Sequence, residues 1–343
     1  MEFVFVLSYA LGLGVLLRWG GRNLPDEKWQ MLASVPVRRN AGGAWDGLNL
    51  TWYGVFNGVA YTLATVTALV LLGSVGVGLP ALGCIVIGVL GICAPASKII
   101  ARLVEGKPNT LSVGAASFVG ILIAPWVAGL ADLLAGPVPV MPALAALAIA
   151  YSLGEGVGRL ACLSFGCCYG RPVADLPEPW SRILGRWAIV FTGETKKAAY
   201  AHQLTGQPLV PVQLMTAWLY CATGVVGIIF FLGGWYGPAM IAPLAVTQIW
   251  RVLSEFLRAD YRGEQKISAY QIMAVVGTMY GLCLPFVFAG PVSGPDLLLG
   301  LERIWTAPVL LMIQVVFVAS FLFTGRSSVT GSEVRFHVRR QEI

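Results

Sequence analysis

Apolar residues in this chain gather in long continuous runs, not in the alternating or one-in-three patterns of half-buried strands and surface helices. Nine such runs lie near 3–18, 51–73, 75–97, 111–136, 140–165, 210–233, 235–257, 267–290 and 304–323, separated by charged or Pro- and Gly-rich breaks. A helix needs about 20 apolar residues to cross the hydrocarbon core, so the pattern predicts an all-α polytopic membrane protein of about nine transmembrane helices. We expect one integral-membrane domain over residues 1–343. The first run is short and has neither a basic segment before it nor a small-residue cleavage site, so it reads as an anchor helix and not a signal peptide. The longest polar connections cover about 19–50 and 168–209, and the tail from Gly325 is short and basic.

Composition narrows the class. Of 343 residues, 57% are hydrophobic and 12% charged, about half the charged share of roughly 25% found in soluble domains. A soluble enzyme, a disordered chain and a nucleic-acid-binding domain are excluded on that ground. The net charge of +6 marks sidedness. Of 23 Lys and Arg, 20 follow the first, third, fifth, seventh and ninth runs: Arg18, Arg22, Lys28, Arg38 and Arg39; Lys98, Arg102 and Lys107; Arg171, Arg182, Arg186, Lys196 and Lys197; Arg258, Arg262 and Lys266; Arg326, Arg335, Arg339 and Arg340. Only Arg303 falls on the opposite side, and Arg159 and Arg251 lie inside predicted helices. The positive-inside rule then puts the 168–209 connection and the C-terminus in the cytoplasm, with the N-terminus outside if all nine runs cross.

Charges at membrane depth cost at least ~2.5–3.5 kcal/mol each and point to function. Glu155 and Arg159 stand one helical turn apart, so each can neutralise the other. Arg251, Glu255 and Arg258 share a helix face at i, i+4 and i+7. Two arginines on separate helices, each with a carboxylate one turn away, are suited to clamp a buried phosphate. Paired charges that snorkel to the interface are the plainer reading, above all for Arg258.

Arg159 runs into Cys162, Cys167, Cys168, Tyr169, Gly170, Arg171 and Pro172, a helix end turning sharply into a loop. Cys-x4-Cys-Cys lacks paired CxxC spacing and the chain has two His, so we expect no metal and no cofactor. A vicinal disulfide would be strained. Small packing residues or a catalytic thiol remain for these cysteines.

Here the sequence resembles the prolipoprotein diacylglyceryl transferases. Gly158-Arg159 through Gly166 to Tyr169-Gly170-Arg171 fits without a gap their signature Gly-Arg-x-Gly-Asn-Phe-x-Asn-Gly-Glu-Leu-aromatic-Gly-Arg. Trp52-Tyr53-Gly54, Pro211-x-Gln213-Leu214, Arg251-x-x-x-Glu255-Phe256-x-Arg258 followed by Asp260, and Ser268-x-x-Gln271 resemble further family stretches in the family's order. The resemblance covers about 50–290, with an extra helix at each end of a seven-helix core.

It implies a multi-pass enzyme of the bacterial plasma membrane. Such an enzyme moves the diacylglyceryl group of phosphatidylglycerol to a lipobox cysteine thiol and releases glycerol phosphate. Arg159 and Arg251 match family arginines that hold the phosphate, where a cation stabilises departing charge. Tyr53, Gly158 and Gly170 match other functional positions. Cys162, Cys167, Tyr169, Gln213, Glu255 and Arg258 are expected to line the substrate site.

The departures fall on the acid–base groups. The family's His reads Gly114 within Ser112-Val113-Gly114-Ala115-Ala116, its Tyr before the second Arg reads Thr247, and its His before Pro211 reads Val210. The signature Asn and Glu read Cys162 and Cys167. A base must then come from elsewhere; Glu155, where the family is apolar, is the first choice, ahead of His202 and Tyr169. Glu155 serves equally well as a counter-ion for Arg159. Sidedness also departs, because the family opens this loop to the periplasm. The acceptor is either the family's prolipoprotein thiol or a cytosolic nucleophile. A non-catalytic phospholipid-binding or translocating protein that keeps only the clamp is the alternative.

Overall fold

The computed structural model describes residues 1–106, 112–259, 267–288, 290 and 293–343. Among them the chain is mostly helical. Helix α1 (Glu2–Asn23) leads into a hairpin of β1 (Met31–Arg39) and β2 (Trp45–Thr51). Four long helices follow: α2 (Trp52–Ser74), α3 (Leu79–Glu105), α4 (Val113–Ala135) and α5 (Val140–Phe165). The connection after α5 holds the short helices α6 (Trp180–Gly185) and α7 (Lys197–His202), with a two-residue pairing of β3 (Ile189–Val190) and β4 (Pro208–Leu209). Then come α8 (Val212–Leu232), α9 (Tyr236–Glu255), α10 (Ala269–Val287), α11 (Leu297–Ile304), α12 (Ala307–Thr324) and β5 (Ser332–Val334).

Eight of the described helices are long and apolar enough to cross a membrane: α1, α2, α3, α4, α5, α8, α10 and α12. The ninth expected span is α9, which has the length, at 20 residues. Its apolar run is diluted by Gln248, Arg251 and Glu255, of which Gln248 and Arg251 bond to α5. The helices differ from the apolar runs mainly at their ends. The third run ends at 97, yet α3 continues through Lys98 and Arg102 to Gly106, whose left-handed backbone (φ +67°) closes it with a bond from its N–H to the Arg102 carbonyl. A helix that leaves the apolar layer keeps its own hydrogen bonds, so hydropathy does not mark its end.

Helix α5 is the axis of the bundle. At a rise of about 1.5 Å per residue, its 26 residues span roughly 39 Å, more than the ~30 Å hydrocarbon core. It packs on α2, α8 and α9 and is buried along most of its length, whereas α1 and α12 keep broad exposed faces, as lipid-facing helices do.

The connections collect at two ends. At one end β5 pairs with β2, which pairs with β1, so the C-terminal segment closes onto the hairpin between α1 and α2. Lys196 Nζ donates to the Leu24 and Ser164 carbonyls there, tying the long connection to the ends of α1 and α5. At the other end the Asp296 N–H donates to the Ser74 carbonyl and the Tyr236 hydroxyl to the Ser293 carbonyl. Most basic residues that can be traced belong to the segments of the first end, whereas Arg303 stands at the other end near Gly73. Lys107, Arg262 and Lys266 lie outside the described residues.

Candidate functional site

Tyr151, Glu155 and Arg159 fall at i, i+4 and i+8 on α5 and therefore line one face. Arg251 reaches this face from α9. Its Nη2 donates to Glu155 Oε1 at 2.9 Å and Oε2 at 2.7 Å, and to the Tyr151 hydroxyl at 2.9 Å. Arg159 pairs with Glu155 Oε1 from within α5. Gln248 Nε2, one turn before Arg251, donates to the same Tyr151 hydroxyl at 3.2 Å. Glu155, Arg159 and Arg251 are all buried. Of the two roles open to Glu155, this is the geometry of a shared counter-ion. Tyr151 and Gln248 escaped the sequence reading, though the four-residue spacing from Tyr151 to Glu155 was a usable signal.

One carboxylate between two guanidinium groups leaves one positive charge uncompensated by this trio. The Nε of Arg159 and the Nε of Arg251 are buried and have no hydrogen-bond partner among the described residues. An unmet buried donor costs about 1–3 kcal/mol, so each Nε is a donor that an acceptor would satisfy.

Two hollows meet at this trio. The larger, about 260 Å³, runs between α2, α3, α4, α5, α9 and α10, and Ile85, Val86, Ile121, Leu144, Met240 and Leu284 help make it apolar. Tyr53, Gly158, Cys162, Glu155 and Arg159 form its polar end. The smaller is a polar niche of about 10 Å³, room for roughly one water, lined by Arg159, Cys168, Gln213, Arg251, Glu255 and Arg258 among others. Arg159 borders both. Glu255 and Arg258 approach each other at 3.8 Å, so that carboxylate is balanced within the niche.

The turn after α5 joins the two motif regions. Gly166 closes α5 in the left-handed region (φ +68°), with its N–H bonded to the Cys162 carbonyl, and Cys168 follows in the same region (φ +57°). Two left-handed residues so close fold the chain back on the helix end. Gln213 Nε2 holds the turn through the Cys167 carbonyl at 2.9 Å. Beyond it the chain runs beside residues 257–259: the Arg171 N–H donates to the Leu257 carbonyl and the Ala259 N–H to the Tyr169 carbonyl. Gly170 sits at this crossing because a Cβ there would meet the Val210 carbonyl oxygen.

The turn also gathers sulfur. The Sγ atoms of Cys162, Cys167 and Cys168 lie within 4.8 Å of one another. The expectation of no metal rested on linear spacing and on the scarcity of His, and linear spacing does not register a chain folded back on itself. Tyr169 and His202, the weaker base candidates, share a hydrogen bond and line neither hollow. At the position of the family's His, a Cβ on Gly114 would come 3.0 Å from the Tyr270 ring and 3.1 Å from Arg251 Nη1, so those two side chains occupy the space. The Tyr220 hydroxyl donates to the Thr247 carbonyl at 2.6 Å. Asp260 lies outside the described residues. In the adjoining connection, burial pulls the Lys196 ammonium down to about 8, against the opposing pull of Asp26 and Glu27.

A family model described as prolipoprotein diacylglyceryl transferase matches residues 44–287. The chain belongs to this family. The match runs from β2 to the end of α10 and contains every residue of both hollows. The chain is also 31% identical over 141 residues to the phosphatidylglycerol–prolipoprotein diacylglyceryl transferase 2 of Clostridium perfringens (strain 13 / Type A), covering 39% of this chain and 46% of that relative. The alignment thus spans about half the length of the relative. For this prolipoprotein diacylglyceryl transferase family member, the trio of Glu155, Arg159 and Arg251 stands at the join between an apolar chamber and a polar niche.

Proposed function

We propose that the protein is a membrane transferase acting on a phospholipid such as phosphatidylglycerol, moving its diacylglyceryl group to a nucleophile with release of glycerol phosphate. The observation that carries this reading is Arg159, which borders both hollows, paired through Glu155 with Arg251, which borders the polar niche, each arginine with an unmet Nε donor. Acyl chains occupy the apolar hollow, where burial of each CH₂ is worth about 0.8 kcal/mol. The phosphate lies across the two guanidinium groups, and its oxygens compete with Glu155 for their N–H donors. The polar head turns toward Gln213, Glu255 and Arg258. As the glycerol carbon–oxygen bond breaks, charge grows on the phosphate oxygens, and fixed cations there lower the barrier.

The acceptor is a thiol, as the family relationship suggests, or a cytosolic nucleophile, as the charge distribution suggests. Twenty of 23 basic residues on one side argue that the end bearing the 166–211 connection and β5 faces the cytoplasm, in a bacterial plasma membrane.

Purified protein in vesicles containing labelled phosphatidylglycerol, supplied with a cysteine-containing lipobox peptide or a small thiol as acceptor, tests the reading. The wild type should release labelled glycerol phosphate, and Arg159→Ala or Arg251→Ala should abolish release while the protein still inserts and folds. Movement of lipid between leaflets without cleavage would support the translocating alternative, for which Glu155 as a resident counter-ion is the favouring observation. Undiminished release by both variants would remove the phosphate clamp.

A further inference from the structure

We propose that Cys162, Cys167 and Cys168 form a three-thiolate site for a soft divalent cation of the zinc class, whose remaining coordination position takes an acceptor thiol. The first half stands on geometry. Zinc–thiolate bonds of about 2.3 Å in a tetrahedral site set sulfurs roughly 3.8 Å apart. Cys162 Sγ and Cys168 Sγ are 3.8 Å apart, and all three sulfurs fall within 4.8 Å. The third sulfur therefore needs to close by about an ångström at most, within the reach of a side-chain adjustment. Thiolate sets select zinc and other soft ions over magnesium or calcium, and three protein ligands with an open position are typical of reactive zinc sites.

The fold is bent to make this cluster. A non-glycine residue in the left-handed region is strained by its Cβ, and Cys168 adopts that region at φ +57°. Strain of this kind persists where surrounding structure enforces it, and it gathers at functional sites. Here Gln213 on the Cys167 carbonyl and the Arg171–Leu257 and Ala259–Tyr169 bonds hold the turn on both flanks. A glycine at this position would make the same turn without that strain.

The second half rests on the transferase reading above. Cys162 borders the apolar hollow and Cys168 the polar niche, and Arg159 borders both. The sulfurs therefore stand beside the residue proposed to hold the phosphate. In this chain the position of the family's His is Gly114, and Glu155 is engaged by two arginines, so neither deprotonates an acceptor. A bound cation does so directly, because a coordinated thiol loses its proton. The acceptor thiol releases that proton to water as its sulfur takes the remaining position. Its lone pair then forms the carbon–sulfur bond at the terminal glycerol carbon. The carbon–oxygen bond to phosphate breaks, and its electron pair stays on the oxygen held by Arg159 and Arg251. The product thioether, a neutral and weaker ligand, leaves the ion. No oxidant or reductant is required.

The test uses the full chain purified in detergent under reducing conditions. Metal content by plasma mass spectrometry should show one zinc per chain. Replacement by Co²⁺ should give the sulfur-to-cobalt charge-transfer bands and the visible bands of a tetrahedral site. Cys162→Ser and Cys168→Ser should each weaken cobalt affinity at least tenfold, while Cys84→Ser, far along the chain in α3, should match wild type. Absence of both zinc and the charge-transfer bands in the unmutated protein overturns the site, whether or not the serine variants fold. Adding N-acetylcysteine amide to the cobalt protein should shift the bands. Bands that do not move overturn the acceptor role and leave the metal site. Because none of these readings depends on turnover, a protein that binds cobalt and thiol but never cleaves phosphatidylglycerol would locate the failure in the transferase reading instead.

Discussion

Glu155 on α5 accepts two hydrogen bonds from Arg251 on α9, at 2.9 and 2.7 Å, while also pairing with Arg159 on its own helix. A single carboxylate thus joins two helices and separates two cations. Without it, two buried guanidinium groups would face each other across a medium that screens them poorly.

Removing that carboxylate should therefore be felt first as lost stability. Glu155→Gln keeps the shape and removes the charge, and breaking a buried ion pair from one side costs about 3–5 kcal/mol. We expect a lower melting temperature in detergent and a larger rescue by added phosphatidylglycerol than the wild type shows, because a phosphate replaces the missing charge. Equal melting temperatures without lipid would mean that Glu155 does not hold the trio together.

Lys196 is fully buried, and its ammonium donates to the Leu24 and Ser164 carbonyls. Burial brings it to about 8 in the folded chain, whereas an unfolded chain keeps the proton to roughly 10.4. Between those values the unfolded state binds more protons, so stability rises with pH there and is level in this respect below about 8. Relative to Lys196→Met, the wild type should gain stability as pH climbs from 8 toward 10, read by denaturant unfolding in detergent. A difference that is constant across that interval would contradict the assignment.

Gly170 has no room for a side chain. A Cβ would press on the Val210 carbonyl oxygen and come within 2.7 Å of Val210 Cβ and 2.9 Å of Val212 Cγ2. Gly170→Ala should cost about 1–3 kcal/mol, as overpacking does, and should reduce turnover by loosening the turn beside Arg159. Gly91→Ala in α3, where a Cβ would meet nothing within 4 Å, serves as the control and should melt no lower than wild type.

The sidedness proposal is open to labelling. Asp175, exposed in the long connection, can be changed to Cys in a chain whose exposed Cys84 and Cys283 are replaced by Ser. An impermeant maleimide should label it only after the cells are opened. Labelling in intact cells would place the 166–211 end outside and return the acceptor to the family's periplasmic thiol.

The helices and the uneven distribution of basic residues between their connections were legible in the sequence because both are one-dimensional properties. A run of apolar residues must form its hydrogen bonds internally in lipid, and a helix satisfies them within the run itself. The pairing of Glu155 with Arg159 was legible for the same reason, as an i,i+4 spacing. The pairing of β2 with β5 was not, since residues 45–47 meet residues 332–334 through no local pattern.

The sequence by itself determined the class of molecule, the places where charge enters the membrane and the motif stretches of the site. Only the tertiary structure decided that Glu155 belongs to two arginines and that Arg159 stands at the join of two hollows. It also decided that three cysteines spaced as Cys-x4-Cys-Cys bring their sulfurs together. The physical reason is that these relationships depend on how α5 and α9 cross and on two left-handed residues, Gly166 and Cys168, that reverse the chain. Spacing along a helix records neither.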